Sequence, residues 1–85
     1  MVGMIKLDFS NINHDILLFC AFRYALGRRT YVPSVVEQII IDNWENMPIE
    51  TRKKYKQEIQ EAITKNCAGD KYDVLGWERI LKLED

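Results

Sequence analysis

Apolar residues recur along the chain at spacings that predict a succession of short helices. From residue 16 to residue 26 nearly every position is apolar, and Gly27 then supplies a natural helix terminator, so the first helix is predicted over residues 13–26. Asn11 or Asn13 can cap this helix, and Asp15 suits the positive end of its dipole. A helix that is apolar around its whole circumference either lies at the centre of a fold or binds a partner.

Three more helices are predicted from capping residues and apolar spacing. Ser34 and Glu37 have the spacing of a capping box, so a second helix is predicted to begin at Ser34 and to end at Pro48. The third is predicted over residues 49–66, where apolar positions follow three- and four-residue steps. Asp73 is predicted to cap a short last helix.

The first ten residues permit one strand. Ile5, Leu7 and Phe9 alternate with polar residues, a period of two that fits a short strand and equally fits an extended arm packed by its apolar side chains. With 85 residues there is room for one core. The sequence therefore predicts a single, mostly α-helical domain over residues 1–85, a compact bundle of about four helices with or without an N-terminal β-strand.

The cysteines and the apolar run indicate the cellular compartment in which the protein is expected. Cys20 lies within the apolar run and is predicted to be a core thiol, whereas Cys67 falls in a loop. Two cysteines cannot build a multi-bridge framework, which favours a reducing compartment. The apolar run is too short to cross a bilayer, and the N-terminus lacks the pattern of a signal peptide. We expect a cytoplasmic protein with no membrane role.

The residues that usually carry catalysis or bind cofactors are sparse. His14 is the single histidine, and beside Asp15 near a helix start it fits a surface or capping pair better than a metal ligand. The glycines are isolated, so no phosphate-binding loop is predicted, and the carboxylates are scattered over solvated faces. We therefore expect no enzymatic activity, no metal and no cofactor.

Charge weighs against a dedicated nucleic-acid binder. The net charge is −1, whereas neutralising phosphates calls for a basic excess. The one basic run, Arg52–Lys56, surrounds Tyr55, which belongs to the apolar stripe of the third helix. A solvated helix face is therefore the favoured interpretation of this run, and a nucleic-acid surface is the alternative.

A cluster of arginine and tyrosine residues gives the candidate binding site. Cations after a helix C-terminus stabilise the helix dipole, which is a sufficient structural reason for one or two of them. Arg23 is harder to explain in this way, because it interrupts an apolar helix and must reach water or a carboxylate. Guanidinium groups beside tyrosine hydroxyls suit carboxylates, phosphates or an acidic protein surface. The candidate site residues are Arg23, Arg28, Arg29, Tyr31 and, in the loop before the last helix, Tyr72.

Part of the chain resembles a known group of proteins. The run AFRYALGRRTYV at residues 21–32, the NINHDILL run before it, Trp44, and the Gly-Asp and Trp-Glu pairs near the end are similar to small proteins from phages and mobile elements of Gram-positive bacteria. The similarity covers most of the chain from Asn11 to about Leu81, and AFRYALGRRTYV is its specific part. The resemblance implies a genetic context and no particular activity, so it assigns no site residues.

The leading hypothesis is a protein that binds and inhibits a host protein, such as an anti-CRISPR or other anti-defence factor. The first alternative is a module that sequesters a nucleotide signal, and the second is a DNA- or RNA-binding regulator. A structural oligomerisation module is a further alternative, because the first helix carries more apolar surface than a small bundle can cover. The oligomeric state is left open between a monomer and a homodimer.

Overall fold

Helices dominate the residues that the computed structural model describes, 6–28 and 31–84. Within these ranges there are four α-helices: α1 (Ile12–Ala25), α2 (Tyr31–Asn43), α3 (Ile49–Thr64) and α4 (Lys71–Leu81). A 3₁₀ turn, Trp44–Asn46, follows α2. The predicted mostly α-helical bundle is confirmed.

The N-terminal alternation does not form a strand in the described residues. Leu7 and Phe9 are half-buried and pack against the helical core, and the Leu7 N–H donates to Asn43 Oδ1 at 3.0 Å. The arm interpretation therefore holds for residues 6–10, whereas Ile5 lies outside the described residues.

The predicted start of the second helix is wrong by three residues. Helix α2 begins at Tyr31, and the Ser34 hydroxyl donates to the Tyr31 carbonyl at 3.3 Å within the first turn. Glu37 is buried, so its carboxylate does not complete a capping box with Ser34. Pro33 allows the earlier start, because the N–H groups of a first helical turn have no intrahelical acceptor and a proline there costs nothing.

The end of α3 and the start of α4 also differ from the prediction. Helix α3 ends at Thr64, and Asn66 leaves the helix in the left-handed region with φ +57°. Asp70, and not Asp73, caps α4: its Oδ1 accepts from the Asp73 N–H at 3.1 Å, while Asp73 Oδ2 accepts from the Asp70 N–H at 3.0 Å. Asp73 is the reciprocal partner in this capping box and is the third residue of the helix, so the prediction that it caps α4 is wrong.

Contacts between the helices define the topology. Helices α1 and α3 run parallel, since Phe19 meets Tyr55 and, further along both helices, Arg23 meets Glu58. Helix α2 packs antiparallel to α1 and shares its longest interface with α4, which packs antiparallel to α3. The α1–α2 and α3–α4 connections therefore lie at the same end of the bundle.

Aromatic rings fill the centre. The Phe22 ring lies 4.8 Å from the Tyr55 ring and 5.5 Å from the Trp77 ring, both in edge-to-face geometry. Trp44 and Tyr55 are buried as their helical spacing predicts. Around them pack aliphatic side chains from all four helices: Leu18, Ala25, Val36, Ile40, Ile59, Ala62 and Ile80.

Cys20 is exposed, so the prediction of a core thiol is wrong. Helix α1 buries one side only, which carries Leu18, Phe22 and Ala25. Two residues along a helix correspond to a rotation of about 200°, which places Cys20 on the side opposite Phe22. An apolar run in the sequence cannot reveal which of its sides faces the core.

Glu37 is a carboxyl group enclosed between α2 and α4. Only 5% of its surface is exposed, and a Cβ at Gly76 of α4 would overlap its carboxylate. Burial raises the pKa of Glu37 to about 7, nearby Asp73 adds to the rise, and Arg79 opposes it. Gly76 on α4 thus leaves space for the Glu37 side chain, whose carboxyl group binds a proton more tightly in the folded protein than in the unfolded chain.

We expect Glu37 to make the protein less stable as the pH rises. A raised folded-state pKa contributes stability that is complete below the ordinary value of 4.5 and is lost as the pH rises through about 7. Between pH 5 and pH 8.5 the free energy of unfolding should fall by on the order of 2 kcal/mol from this group. In Glu37→Gln, urea denaturation should no longer show this fall in the free energy of unfolding between the two pH values. Glu50→Gln, at an exposed position of α3, should still show it. An unchanged pH dependence in Glu37→Gln would contradict this account.

Candidate functional site

The two connections at one end of the bundle touch each other at Gly27. This residue has φ +94°, and a Cβ on it would lie 2.9 Å from the Cys67 carbonyl oxygen. A side chain here would be strained both by the backbone conformation and by the close approach. Gly27 therefore holds the α1–α2 connection against the α3–α4 connection.

An open groove of about 510 Å³, which we call the connection groove, lies between these two segments. One wall comes from the end of α1 and carries Arg23, Tyr24 and Arg28. The other wall belongs to the α3–α4 connection and includes Asn66 and Cys67. The groove gathers two of the arginines that the sequence singles out.

Arg23 is engaged within the protein. Its guanidinium forms an ion pair with the Glu58 carboxylate of α3, which is the carboxylate that an arginine on this apolar helix requires. The pair is partly exposed, so it contributes little to stability. Its charge is nevertheless compensated, which makes Arg23 a weaker anchor for an external anion than the sequence suggests.

The Arg28 side chain packs against the Tyr24 ring. Its guanidinium carbon lies 4.6 Å from the centre of the Tyr24 ring, and both side chains are exposed. A stacked guanidinium keeps the N–H donors at its edge available for a carboxylate or phosphate, and the ring limits its motion. Arg29 lies outside the described residues.

Tyr31 and Tyr72 complete the set at the same end. Tyr31 is the first residue of α2 and is 83% exposed. Tyr72 is 71% exposed and is the second residue of α4, so its predicted position in the loop before that helix is wrong, because Asp70 begins the helix earlier. Each is three residues beyond a residue that lines the connection groove, Arg28 and Gly69 respectively. The four described candidates, Arg23, Arg28, Tyr31 and Tyr72, therefore share one end of the bundle.

The sequence indicates more apolar surface on α1 than the bundle can cover, and the structure shows which residues form the uncovered part. We define the outer face of α1 by Ile16, Leu17, Cys20, Ala21 and Tyr24, all of which are exposed. These positions lie on the side of the helix away from Phe22. The uninterrupted apolar run was the signal in the sequence, but it did not reveal which residues the bundle leaves uncovered.

The basic run of α3 is largely engaged by the protein itself. Arg52 donates to the Glu45 carbonyl at 2.9 Å, and the Lys54 ammonium lies 3.9 Å from the centre of the Phe19 ring. Lys56 donates to the Leu83 carbonyl. These contacts occupy some of the donors of the three side chains but leave their positive charges in place. The net charge of −1 is the observation that disfavours the nucleic-acid alternative.

His14 acts at the start of α1. Its Nδ1 accepts a hydrogen bond from the Asp8 N–H at 3.0 Å, which ties the N-terminal segment to the helix.

Within residues 6–28 and 31–84, no group of three or more His, Cys, Asp or Glu side chains is placed to hold a metal ion. In the same ranges, no helix has the length and apolar character needed to cross a membrane.

Comparisons with known proteins give this chain no relatives: no protein-family model, curated protein or solved structure matches it.

Replacing Gly27 by alanine should weaken the end of the bundle that carries the candidate residues. The positive φ and the overlap with the Cys67 carbonyl together should lower the free energy of unfolding by roughly 1–3 kcal/mol. Asn66→Gly provides the opposite control, because it relieves a positive φ at the neighbouring connection and should leave stability equal or slightly higher. Equal thermal midpoints for Gly27→Ala and the unaltered protein would show that the contact between Gly27 and the Cys67 carbonyl does not require a glycine.

Proposed function

We propose that this protein binds a host protein in the bacterial cytoplasm and inhibits it, as an anti-CRISPR or other anti-defence factor does. The observation that carries the binding role is the exposed set at one end of the bundle: the Arg28–Tyr24 stack, Tyr31 and Tyr72. Arginine and tyrosine are the residues most often responsible for affinity at protein interfaces, together with tryptophan. The resemblance to small phage proteins suggests a phage genetic context, and the anti-defence role is an analogy with other small phage proteins that bind host proteins.

The charge at this end favours an acidic partner surface. Arg28 and Lys71 are exposed there, and the sequence adds Arg29 to the same connection. The neighbouring acids Asp70 and Asp73 accept backbone hydrogen bonds in the capping box of α4. A partner carboxylate that approaches the edge of the Arg28 guanidinium would gain two charge-assisted hydrogen bonds.

The double variant Arg28→Ala/Arg29→Ala tests the assignment. In bacteria with an active CRISPR system, expression of the unaltered protein should restore plating of a targeted phage, and the double variant should reduce this effect at least tenfold. Its helical circular dichroism should be unchanged, since Arg28 is exposed. Lys53→Ala/Lys82→Ala removes the same charge from exposed positions elsewhere and should retain inhibition.

The partner itself is identified by affinity capture from the same host. The bound species should be lost with Arg28→Ala/Arg29→Ala and kept with Lys53→Ala/Lys82→Ala. Inhibition and capture that both survive the arginine double variant would contradict the site. If neither a CRISPR system nor another defence system is affected by the unaltered protein, the anti-defence role is wrong.

The connection groove favours a nucleotide ligand as the second candidate. It is large enough for a mononucleotide, and the Arg28–Tyr24 stack offers both a cation for a phosphate and a nearby aromatic ring. Mass spectrometry of small molecules released from the purified protein distinguishes the two functions. A stoichiometric nucleotide would favour sequestration, whereas a protein captured without one favours inhibition by direct contact.

A further inference from the structure

We propose that the outer face of α1 is the interface of a homodimer, in which two copies of α1 pack antiparallel across a two-fold axis near Cys20. This surface adjoins the arginine–tyrosine end at Tyr24, which belongs to both, and the inference does not depend on the proposed function.

The surface has the composition of an interface core. Ile16, Leu17, Cys20, Ala21 and Tyr24 are all exposed, and none of them carries a charge at neutral pH. Depletion of charge together with aromatic and aliphatic side chains is what distinguishes the centre of an interface from the rest of a protein surface. A contiguous apolar surface of this kind on a small domain indicates a binding site.

The order of residues along α1 suits a second copy of the same helix. The small residues Cys20 and Ala21 lie in the middle of the face, with Ile16 and Leu17 on one side of them and Tyr24 on the other. An antiparallel two-fold axis near Cys20 sets the aliphatic pair of each copy against Tyr24 of the other. The small residues then meet where the helices cross, which permits close approach.

Charges at the two ends of α1 favour the same arrangement. Exposed Asp8 lies beside the start of the helix, whereas exposed Arg28 lies just beyond its end, against Tyr24 of the outer face. Antiparallel packing brings the acidic start of one copy beside the basic end of the other, and parallel packing would place like charges together. Arg28 retains its Tyr24 support at the edge of such an interface.

Helix α1 supplies about half of the area that a stable interface buries, and α2 extends this surface. A 14-residue helix is about 21 Å long and offers an exposed stripe on the order of 400 Å², whereas a stable interface buries about 800 Å² per partner. An apolar groove of about 320 Å³ continues the surface from Leu17 to Ile39 of α2. Val32 and Val35 are exposed on the same side of α2 as Ile39, and they extend the surface further.

Sedimentation equilibrium tests the dimer with two matched leucine variants. Leu17 on α1 is 66% exposed and Leu75 on α4 is 59% exposed, so glutamate should leave the fold intact at either position. At roughly 100 µM, the unaltered protein and Leu75→Glu should sediment at twice the chain mass of 10.1 kDa, and Leu17→Glu at the chain mass. A monomeric unaltered protein at that concentration, or a dimer that Leu75→Glu disrupts and Leu17→Glu does not, would overturn the proposal.

Cysteine cross-linking tests the position of the axis. Both cysteines are exposed, and a disulfide requires Cα atoms within about 7 Å of each other. Oxidation of Cys67→Ser with diamide should give a covalent dimer through Cys20, and Cys20→Ser, which keeps Cys67, should give none. A covalent dimer that forms through Cys67 alone would contradict the proposed two-fold axis.

Discussion

The ring of Phe22 meets Tyr55 at 4.8 Å and Trp77 at 5.5 Å, so a single side chain of α1 joins α3 and α4. All three rings are fully buried, and a small bundle has few other large side chains with which to hold its helices. Because α1 must turn Phe22 toward these rings, the rotation of the helix about its own axis is fixed. The exposed side of α1 follows from that rotation.

One consequence is that α1 presents its opposite side to the surrounding water. The residues on that side are as apolar as those in the core, and covering them would require another layer of structure. The second consequence concerns the end of the bundle, where the fixed course of α1 brings Gly27 against Cys67 and supports Arg28 on Tyr24. The fold thus presents two exposed surfaces, an apolar side of α1 and a basic, aromatic end of the bundle, which meet at Tyr24.

The sequence predicts the number of helices and the burial of Trp44 and Tyr55, because those depend on local spacing and on stop signals such as Gly27. It does not predict the start of α2, where Pro33 is tolerated in the first turn. It also places the cap of α4 at Asp73 and not at Asp70, the other member of the same capping box. The exposure of Cys20 is decided by the contact of Phe22 with two distant helices. The gathering of Arg28, Tyr31 and Tyr72 at one end depends on topology in the same way.

The orientation of α1 is tested most directly by the reactivity of the Cys20 thiol in the Leu17→Glu/Cys67→Ser variant, in which the outer face of α1 is uncovered and the other cysteine is absent. The rate of alkylation by iodoacetamide is compared under native conditions and in denaturant. If Phe22 points inward and Cys20 outward, native alkylation should approach the rate of the unfolded chain. A native rate no faster than global unfolding would place Cys20 in the core and contradict the arrangement on which both surfaces depend.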